Sequence, residues 1–243
     1  MAPHEEESSE PKNVDRLKLL KQAEAAKAEA SHYMFDELPW ELCRDSNGIQ
    51  IFKLPTNDDR GDHVFRGECS AEADVETMAY LMHPVAPYRK QWDTNVAQYE
   101  ILEHLSPDTL VVHHCVKPHF MGLIASRDSI HLSHFATPVE NGIAAFITSV
   151  LDYPMAEMPG VVRGRTYPSG ICFMKTGEPH VSKIRTIFHA DPNLPRIIPL
   201  SLVEAGIPRE MERFHLNLQA AATNLTVEKD LELPGWTEIL KTF

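Results

Sequence analysis

The chain has 243 residues and a formal net charge of −12, with 43% hydrophobic and 24% charged residues. This length fits one large domain or two small ones, and this balance is typical of a globular protein in water. The negative charge argues against nucleic acid as a partner and against electrostatic attachment to anionic lipid, because both need a basic face. No apolar run in the sequence is long enough to span a membrane.

The N-terminal region predicts an acidic tail followed by a helix. Residues 1–13 are polar and acidic and lack the apolar core of a signal peptide, so we expect them to be disordered. Without an export signal, the four scattered cysteines favour reduced thiols and a cytoplasmic location. Residues 14–33 are rich in Ala, Leu, Lys and Glu, which favours a helix that lies on a surface. The apolar members of this helix are Leu17, Leu20 and Ala28.

Alternating apolar residues between turn signals predict β-strands through the middle of the chain. One short helix, Asp74–Met82, interrupts them, and turns such as Asn47–Gly48 separate them. The strands that follow this helix have no further helices between them, which implies an antiparallel sheet. The absence of an interior linker implies a single domain. The predicted strands are Ile49–Leu54, His63–Ser70, Val96–Glu103, Thr109–Lys117, Asp128–Thr137, Gly142–Asp152, Gly170–Met174 and Val181–His189.

The stretch Pro199–Leu225 predicts a long amphipathic helix. Its apolar residues recur at steps of three and four, so they form one face that needs a large partner surface. The other faces carry polar residues that suit water, Glu212 among them. Pro208 lies inside the run and predicts a kink near Gly206. The apolar face comprises Leu200, Val203, Ile207, Met211, Phe214, Leu218, Ala221 and Leu225. A long antiparallel sheet followed by such a helix indicates an α+β fold in which the sheet curls around the helix.

Four short stretches share a family pattern in their order and spacing. They are Arg89–Val96; Ser126–Asp128; Val161–Gly164 with Pro168, Gly170 and Gly177–Pro179; and Phe188–Asp191 with Pro199 and Ile207–Gln219. Together they resemble the START (StAR-related lipid transfer) domain from about Trp40 to Leu225. The fourth stretch is most similar to the small soluble START proteins that bind sterols and bile acids. Ser126 departs from the family, which usually has proline before Arg-Asp.

The resemblance implies a helix-grip fold, in which a curved antiparallel sheet wraps a long C-terminal helix and encloses a hydrophobic tunnel. We expect this domain over residues 14–225, with a tail at residues 226–243 that docks back or dips into a membrane interface. The implied function is that of a carrier that binds one lipid and takes it between membranes through the cytosol. A sterol is the leading candidate for this lipid. A bile acid, a carotenoid or a phospholipid is the alternative ligand. Transient membrane contact is expected through the Phe120–Ile124 loop and the C-terminal helix.

Strand alternation and the implied tunnel together suggest which residues contact the ligand. Some family members place an acid and an arginine in the cavity, and by spacing those positions are His114 and Ser133 here. Neutral side chains there would bond a ligand hydroxyl or keto group, and the alternative for His114 is a bond to a neighbour or a buried water. Arg89 would meet a ligand or form an ordinary surface ion pair. The full set is Arg89, Tyr99, Ile101, Val112, His114, Val116, Met121, Leu123, Ser133, Thr148, Thr186, Phe188, Val203, Ile207, Met211, Phe214 and Leu218.

Other chemistry has weaker support in the sequence. Neighbouring histidines such as His113 and His114 point to opposite faces of a strand, and no CxxC or HExxH motif is present, so neither a metal nor another cofactor is expected. An enzyme such as a cyclase or hydrolase would have to use His114 with Ser133 and Thr148. We therefore expect a binding protein rather than an enzyme, with a protein-interaction domain as a further alternative. Arg127–Asp128 is interpreted as a structural pair at a strand start.

Overall fold

The computed structural model describes residues 15–56, 63–118, 124–139, 141–191, 193–194 and 200–242, with the side chains of residues 200–204 left aside. The elements in chain order are α1 (Arg16–Phe35), β1 (Glu41–Ser46), β2 (Ile49–Pro55), β3 (His63–Ala71), α2 (Val75–Met82), α3 (Arg89–Trp92), β4 (Val96–Ser106), β5 (Thr109–Val116), β6 (Ser126–Ala136), β7 (Gly142–Ser149), β8 (Val161–Arg163), β9 (Arg165–Thr166), β10 (Ser169–Lys175), β11 (Ser182–Phe188), β12 (Ala190–Asp191), α4 (Leu200–Asn224) and α5 (Thr237–Leu240).

One large sheet carries the fold. Within the described residues its strands run in the order β1-β2-β3-β11-β10-β7-β6-β5-β4, and β8 lies beside β6. Neighbours along this path pair antiparallel, which confirms the predicted strands and their direction. The pairing of β8 with β6 is parallel, contrary to the prediction of a purely antiparallel sheet. A strand of three residues, Val161–Arg163, is too short to reveal itself by alternation.

The first strand, β1, was not predicted from the sequence. Its residues Glu41–Ser46 are half-buried or exposed, because β1 lies at the edge of the sheet and presents charged side chains to water. The turn at Asn47–Gly48 was predicted, and both residues have positive φ, 55° and 72°. Positive φ at both central positions matches the twist of a two-residue hairpin, and this turn joins β1 to β2.

Helix α4 packs against the concave face of the sheet through the predicted apolar stripe. Met211, Leu218 and Ala221 are buried in the main core, and Ile207 and Phe214 pack against that core while half-buried. The helix is continuous through Pro208. This arrangement confirms the helix-grip architecture, with a curved sheet around a long C-terminal helix. The side chains of Leu200 and Val203 lie outside the described residues.

Helix α1 covers the opposite, convex face of the sheet. The predicted helix is confirmed, and of its apolar members Leu17 is 63% exposed, Ala28 is exposed and Leu20 is half-buried. Small residues at helical spacing let the helix lie close to the sheet, and a face built from alanine gives a weak sequence signal. The buried residues are Leu19, Ala23, Ala26, Ala30 and Met34.

The segment after α4 docks on the domain. Trp236 is fully buried and Leu233 is 1% exposed, and both belong to the core on the concave side. Docking was one of the two fates expected for the tail. No helix in the described part of the chain combines the length and the apolar character needed to cross a bilayer.

Candidate functional site

The concave faces of β4, β5 and β6 form one wall opposite α4. Pairing places Tyr99 beside His114, and Ile101 beside Val112. Tyr99, Ile101 and His114 are only half-buried, although each lies on the inner face of the sheet. Leu110 and Val112 on the same face are fully buried in the core, so the half-buried residues mark the part of the face where we expect a ligand space between the sheet and the helix.

His114 is the polar centre of this wall. Burial, assisted by the positive charge of Arg89, lowers its pKa to about 3. Its Nε2 atom is buried and has no hydrogen-bond partner among the described residues. The ring is neutral at pH 7, so this nitrogen is a polar atom whose hydrogen-bonding capacity is unused.

A second neutral imidazole lies beside the first. The ring centroid of His131 is 6.0 Å from that of His114, and the ring of Tyr99 meets His114 edge-on at 5.4 Å. Burial and the neighbouring His114 lower the pKa of His131 to about 3. The His131 Nδ1 lies 3.5 Å from the Ser129 hydroxyl. Two uncharged rings and a hydroxyl therefore form a polar patch on an otherwise apolar wall.

Arg89 is paired, but not at the surface. Its Nε donates to Asp93 at 2.9 Å, and the two side chains are 12% and 4% exposed. The guanidinium carbon lies 5.1 Å from the ring centroid of Phe214 and 4.9 Å from that of Trp92. The ion pair exists, although it is buried rather than at the surface, and contact of Arg89 with a ligand stays a prediction.

Several candidate residues lie away from this space. Thr148 pairs with Leu132, a residue packed under α1, so Thr148 faces the convex side and cannot meet a ligand on the concave side. The Thr186 hydroxyl lies 3.2 Å from His215 Nε2, which occupies it within the core. Phe188 ends β11 and is 36% exposed. The expectation is therefore wrong for Thr148, and Thr186 packs against the helix.

The remaining candidates divide between the wall and the packed core. Ser133 lies on the concave face opposite Leu110 and is 2% exposed. Val112 is fully buried in the core, whereas Val116 is half-buried. On α4, Ile207 and Phe214 are half-buried, while Met211 and Leu218 are packed inside the core. Met121, Leu123 and the side chain of Val203 lie outside the described residues.

Sequence reasoning missed His131, Asp93 and Glu212. His131 was not among the predicted ligand contacts, but its pairing with Val112 puts it on the concave face, and strand parity was the available signal. Asp93 stands four residues after Arg89 in the first family stretch, a spacing that favours an ion pair on a helix. Glu212 was expected in water, yet it is 6% exposed and accepts hydrogen bonds from Arg44, Ser46 and Asn47 of the first hairpin.

Asp128 forms its ion pair with a different arginine from the one expected. Arg163 donates to both of its carboxylate oxygens, at 2.7 and 3.0 Å, and His113 Nε2 lies 2.9 Å away. Burial alone would raise the pKa of Asp128, but these bonds hold it below its usual value. The group ties β8 to β6 and is structural. No cluster that would hold a metal ion occurs among the residues that the structure describes.

Three comparisons identify similar proteins. The family model described as START domain matches residues 21–220. Human StAR-related lipid transfer protein 5 is 32% identical over 213 residues, which cover 86% of this chain and 97% of that protein. Its solved structure superimposes with a TM-score of 0.78 at 27% identity, over 85% of this chain and 97% of the other. Human STARD10 shares the fold, with a TM-score of 0.65 at 18% identity over 98% and 88% of the two chains.

Proposed function

The chain belongs to the START domain family, and from this premise we propose that it binds one hydrophobic lipid between its sheet and α4 and carries it between membranes. The observation that supports this function is the half-buried apolar lining of the concave face, from Ile101 on β4 to Ile207 and Phe214 on α4. Apolar side chains left incompletely packed in a protein interior provide the surface that a buried lipid would cover.

A sterol is the ligand class that we propose. The wall offers one unpaired imidazole nitrogen, on His114, within an apolar surround. A molecule with one hydroxyl on a rigid apolar body matches that arrangement, because the hydroxyl satisfies the nitrogen and the body covers the apolar wall. A bile acid, a carotenoid or a phospholipid is the alternative. A bile acid differs from a sterol in presenting a carboxylate, and a carotenoid differs in having no single terminal hydroxyl.

The same wall gives little support to an enzyme. A general base works best with a pKa near the operating pH. The pKa values of His114 and His131 are both about 3, so these imidazoles are weak bases at neutral pH. Thr148 lies on the opposite face of the sheet from His114 and Ser133, so these three side chains do not form one catalytic group. A carrier working in the cytosol needs only to bind and release its ligand. Membrane contact through Phe120–Ile124 stays a sequence prediction, because Phe120 lies outside the described residues.

Lipid extraction followed by mass spectrometry tests the proposal. Purified protein should yield one class of co-purified lipid, and a fluorescent sterol should bind with a stoichiometry of one. Ile101→Trp should abolish binding, because the larger side chain would fill the space, at a stability cost of roughly 1–3 kcal/mol. Leu42→Trp is the matched control, since Leu42 is 53% exposed on the edge strand. Absence of any bound lipid, with no sterol uptake by the folded protein, would contradict the function.

A further inference from the structure

The chain after α4 is bound firmly to the domain, in a region that follows the part matched by the family model. That match ends at residue 220. Trp236 is fully buried, and its ring lies 5.0 Å from the ring of Phe135. Gly235 has φ 79°, and a Cβ there would lie 2.6 Å from the Cβ of Phe135. Only glycine permits so close an approach, so the segment is fitted to the sheet rather than resting loosely on it.

Hydrogen bonds attach this segment to the chain between α2 and α3. The Tyr88 hydroxyl accepts from Glu228 N at 2.7 Å and donates to Glu228 O at 3.3 Å. His83 Nε2 donates to Pro234 O at 3.0 Å, and its Nδ1 accepts from Val85 N at 3.2 Å. We assign the ring proton to Nε2 because a carbonyl can only accept. One neutral imidazole thus joins the C-terminal segment to the start of the α2–α3 connection.

Further contacts hold α2 itself to the same segment. The Tyr80 hydroxyl donates to Leu231 O at 2.5 Å. Lys229 forms ion pairs with Asp74, the N-cap of α2, and with Glu76. The attachment therefore extends along the whole of α2 and through residues 83–88.

Residues 83–88 lead directly into α3, which borders the candidate ligand site. Tyr88 is the N-cap residue of α3, and Arg89 follows it. The rings of Trp92 and Phe214 lie 5.5 Å apart, so α3 rests on the half-buried part of α4. Trp92 Nε1 also donates to Leu81 O at 2.9 Å, which links α3 back to α2. Whatever fixes residues 83–88 therefore fixes the position of Arg89 beside the ligand space.

We propose that residues 226–240 act as a strap that holds α3 against α4 and thereby sets the rate at which the ligand leaves. The inference rests on the proposed lipid-binding function. Tyr88 and His83 are positioning residues in this scheme: they act through Arg89 and Trp92 and need no contact with the ligand. A segment that only filled the core would affect stability and leave ligand release unchanged.

Tyr88→Phe tests the strap with the least disturbance, because it keeps the ring and removes the hydroxyl. Two hydrogen bonds to Glu228 are lost, so release of a fluorescent sterol should become roughly five- to tenfold faster. Amide hydrogen exchange over residues 83–93, measured without ligand, should also become faster. Tyr153→Phe is the matched control, because it removes a hydroxyl that bonds Glu103 beside the convex-face core.

His83→Phe is the second variant, since it keeps an aromatic ring against Phe135 and removes the bond to Pro234. Wild-type rates of release in both variants would overturn the strap. Faster amide exchange with unchanged release would overturn it as well, because α3 would then move without affecting the ligand. Wild-type protein that binds no sterol would overturn the proposed function, and the strap proposal with it. Amide exchange is measured without ligand, so it reports whether the segment holds α3 even if the protein binds no sterol. It therefore distinguishes a failure of the lipid-binding function from a failure of the strap.

Discussion

We expect His114 to recognise a polar group of the ligand, because its Nε2 is buried and has no hydrogen-bond partner among the described residues. His114→Leu keeps a similar volume and removes both polar atoms. If a sterol hydroxyl bonds this nitrogen, affinity should fall by roughly 1–3 kcal/mol, about ten- to hundredfold. The measurement is a titration of wild type and variant with a fluorescent sterol.

An analogue lacking the hydroxyl is the control for His114→Leu. It should bind wild type and variant almost equally, since it never satisfied the nitrogen. Equal losses for the two ligands would mean that His114 only shapes the space, and no loss for either would mean that the ligand lies elsewhere. His131→Leu should show a smaller loss, because the His131 Nδ1 already has Ser129 as a neighbour at 3.5 Å.

Two residues on one face of α4 separate stability from binding. Leu218 is fully buried, so Leu218→Ala should destabilise the fold by about 2–5 kcal/mol and leave sterol affinity nearly unchanged. Phe214 is half-buried beside Arg89 and Trp92, so Phe214→Ala should cost less stability and more affinity. Denaturant melts and sterol titrations of both variants measure the difference. A reversed order of the two effects would place the ligand against the other end of the helix.

The buried carboxylate of Glu212 joins α4 to the first hairpin. It accepts hydrogen bonds from Arg44, Ser46 and Asn47, and the first of these partners is charged. Glu212→Ala should destabilise the protein by roughly 2–3 kcal/mol, because the hydrogen bonds that the buried carboxylate accepts from Arg44, Ser46 and Asn47 are lost. Glu210→Ala is the control, since Glu210 is 44% exposed and should change stability by less than about 0.5 kcal/mol. Urea denaturation gives both values.

The elements that sequence reasoning predicted are those with a strong apolar period. Leu218 and Met211 belong to an uninterrupted helical stripe, and β5 is a short run rich in valine between turn signals, so α4 and the central strands were identified correctly. Edge strand β1 was missed because several of its residues are charged, and the buried side of α1 was not predicted because a face built largely from alanine gives a weak signal. The burial of Glu212 depends on a hairpin more than 160 residues away, which no local pattern reveals.

For the candidate site, the sequence could predict only which face of a strand each side chain occupies. Parity placed His114 correctly on the concave side, but the same reasoning put Thr148 there, one residue out of phase. A one-residue error in register reverses the face of a side chain, so such assignments need the pairing itself. The ion pair of Arg89 with Asp93 depends on a short helix whose four residues are too few to predict.

At the scale of the whole molecule, buried histidines make stability depend on pH. Burial lowers the pKa of His83 and His215 to about 4 and that of His131 to about 3. In the unfolded chain the pKa is about 6.5, so below that pH the unfolded state binds more protons than the folded state. Stability should therefore fall as the pH falls from about 6.5 to about 4, by up to roughly 1.4 kcal/mol per pH unit for each group.

Thermal denaturation between pH 7 and pH 4 checks this slope, and His215→Gln should reduce it by the share of one group. His180→Gln is the control, because His180 is exposed. A slope that is the same in all three proteins would mean that His215 does not stay neutral in the folded state.

The pairing of β3 with β11 has a consequence for how the chain is made. Cys69 and Ile184 lie side by side in the sheet, although 115 residues separate them in the sequence. A ribosome adding roughly 5–20 residues per second would expose the free edge of β3 for about 6–23 s before its partner is synthesised. During that interval the apolar side chains of β2 and β3 have neither their neighbouring strand nor α4 to cover them. Nascent chains of this protein are therefore candidates for chaperone protection, and slow codons between the two strands would lengthen the exposure.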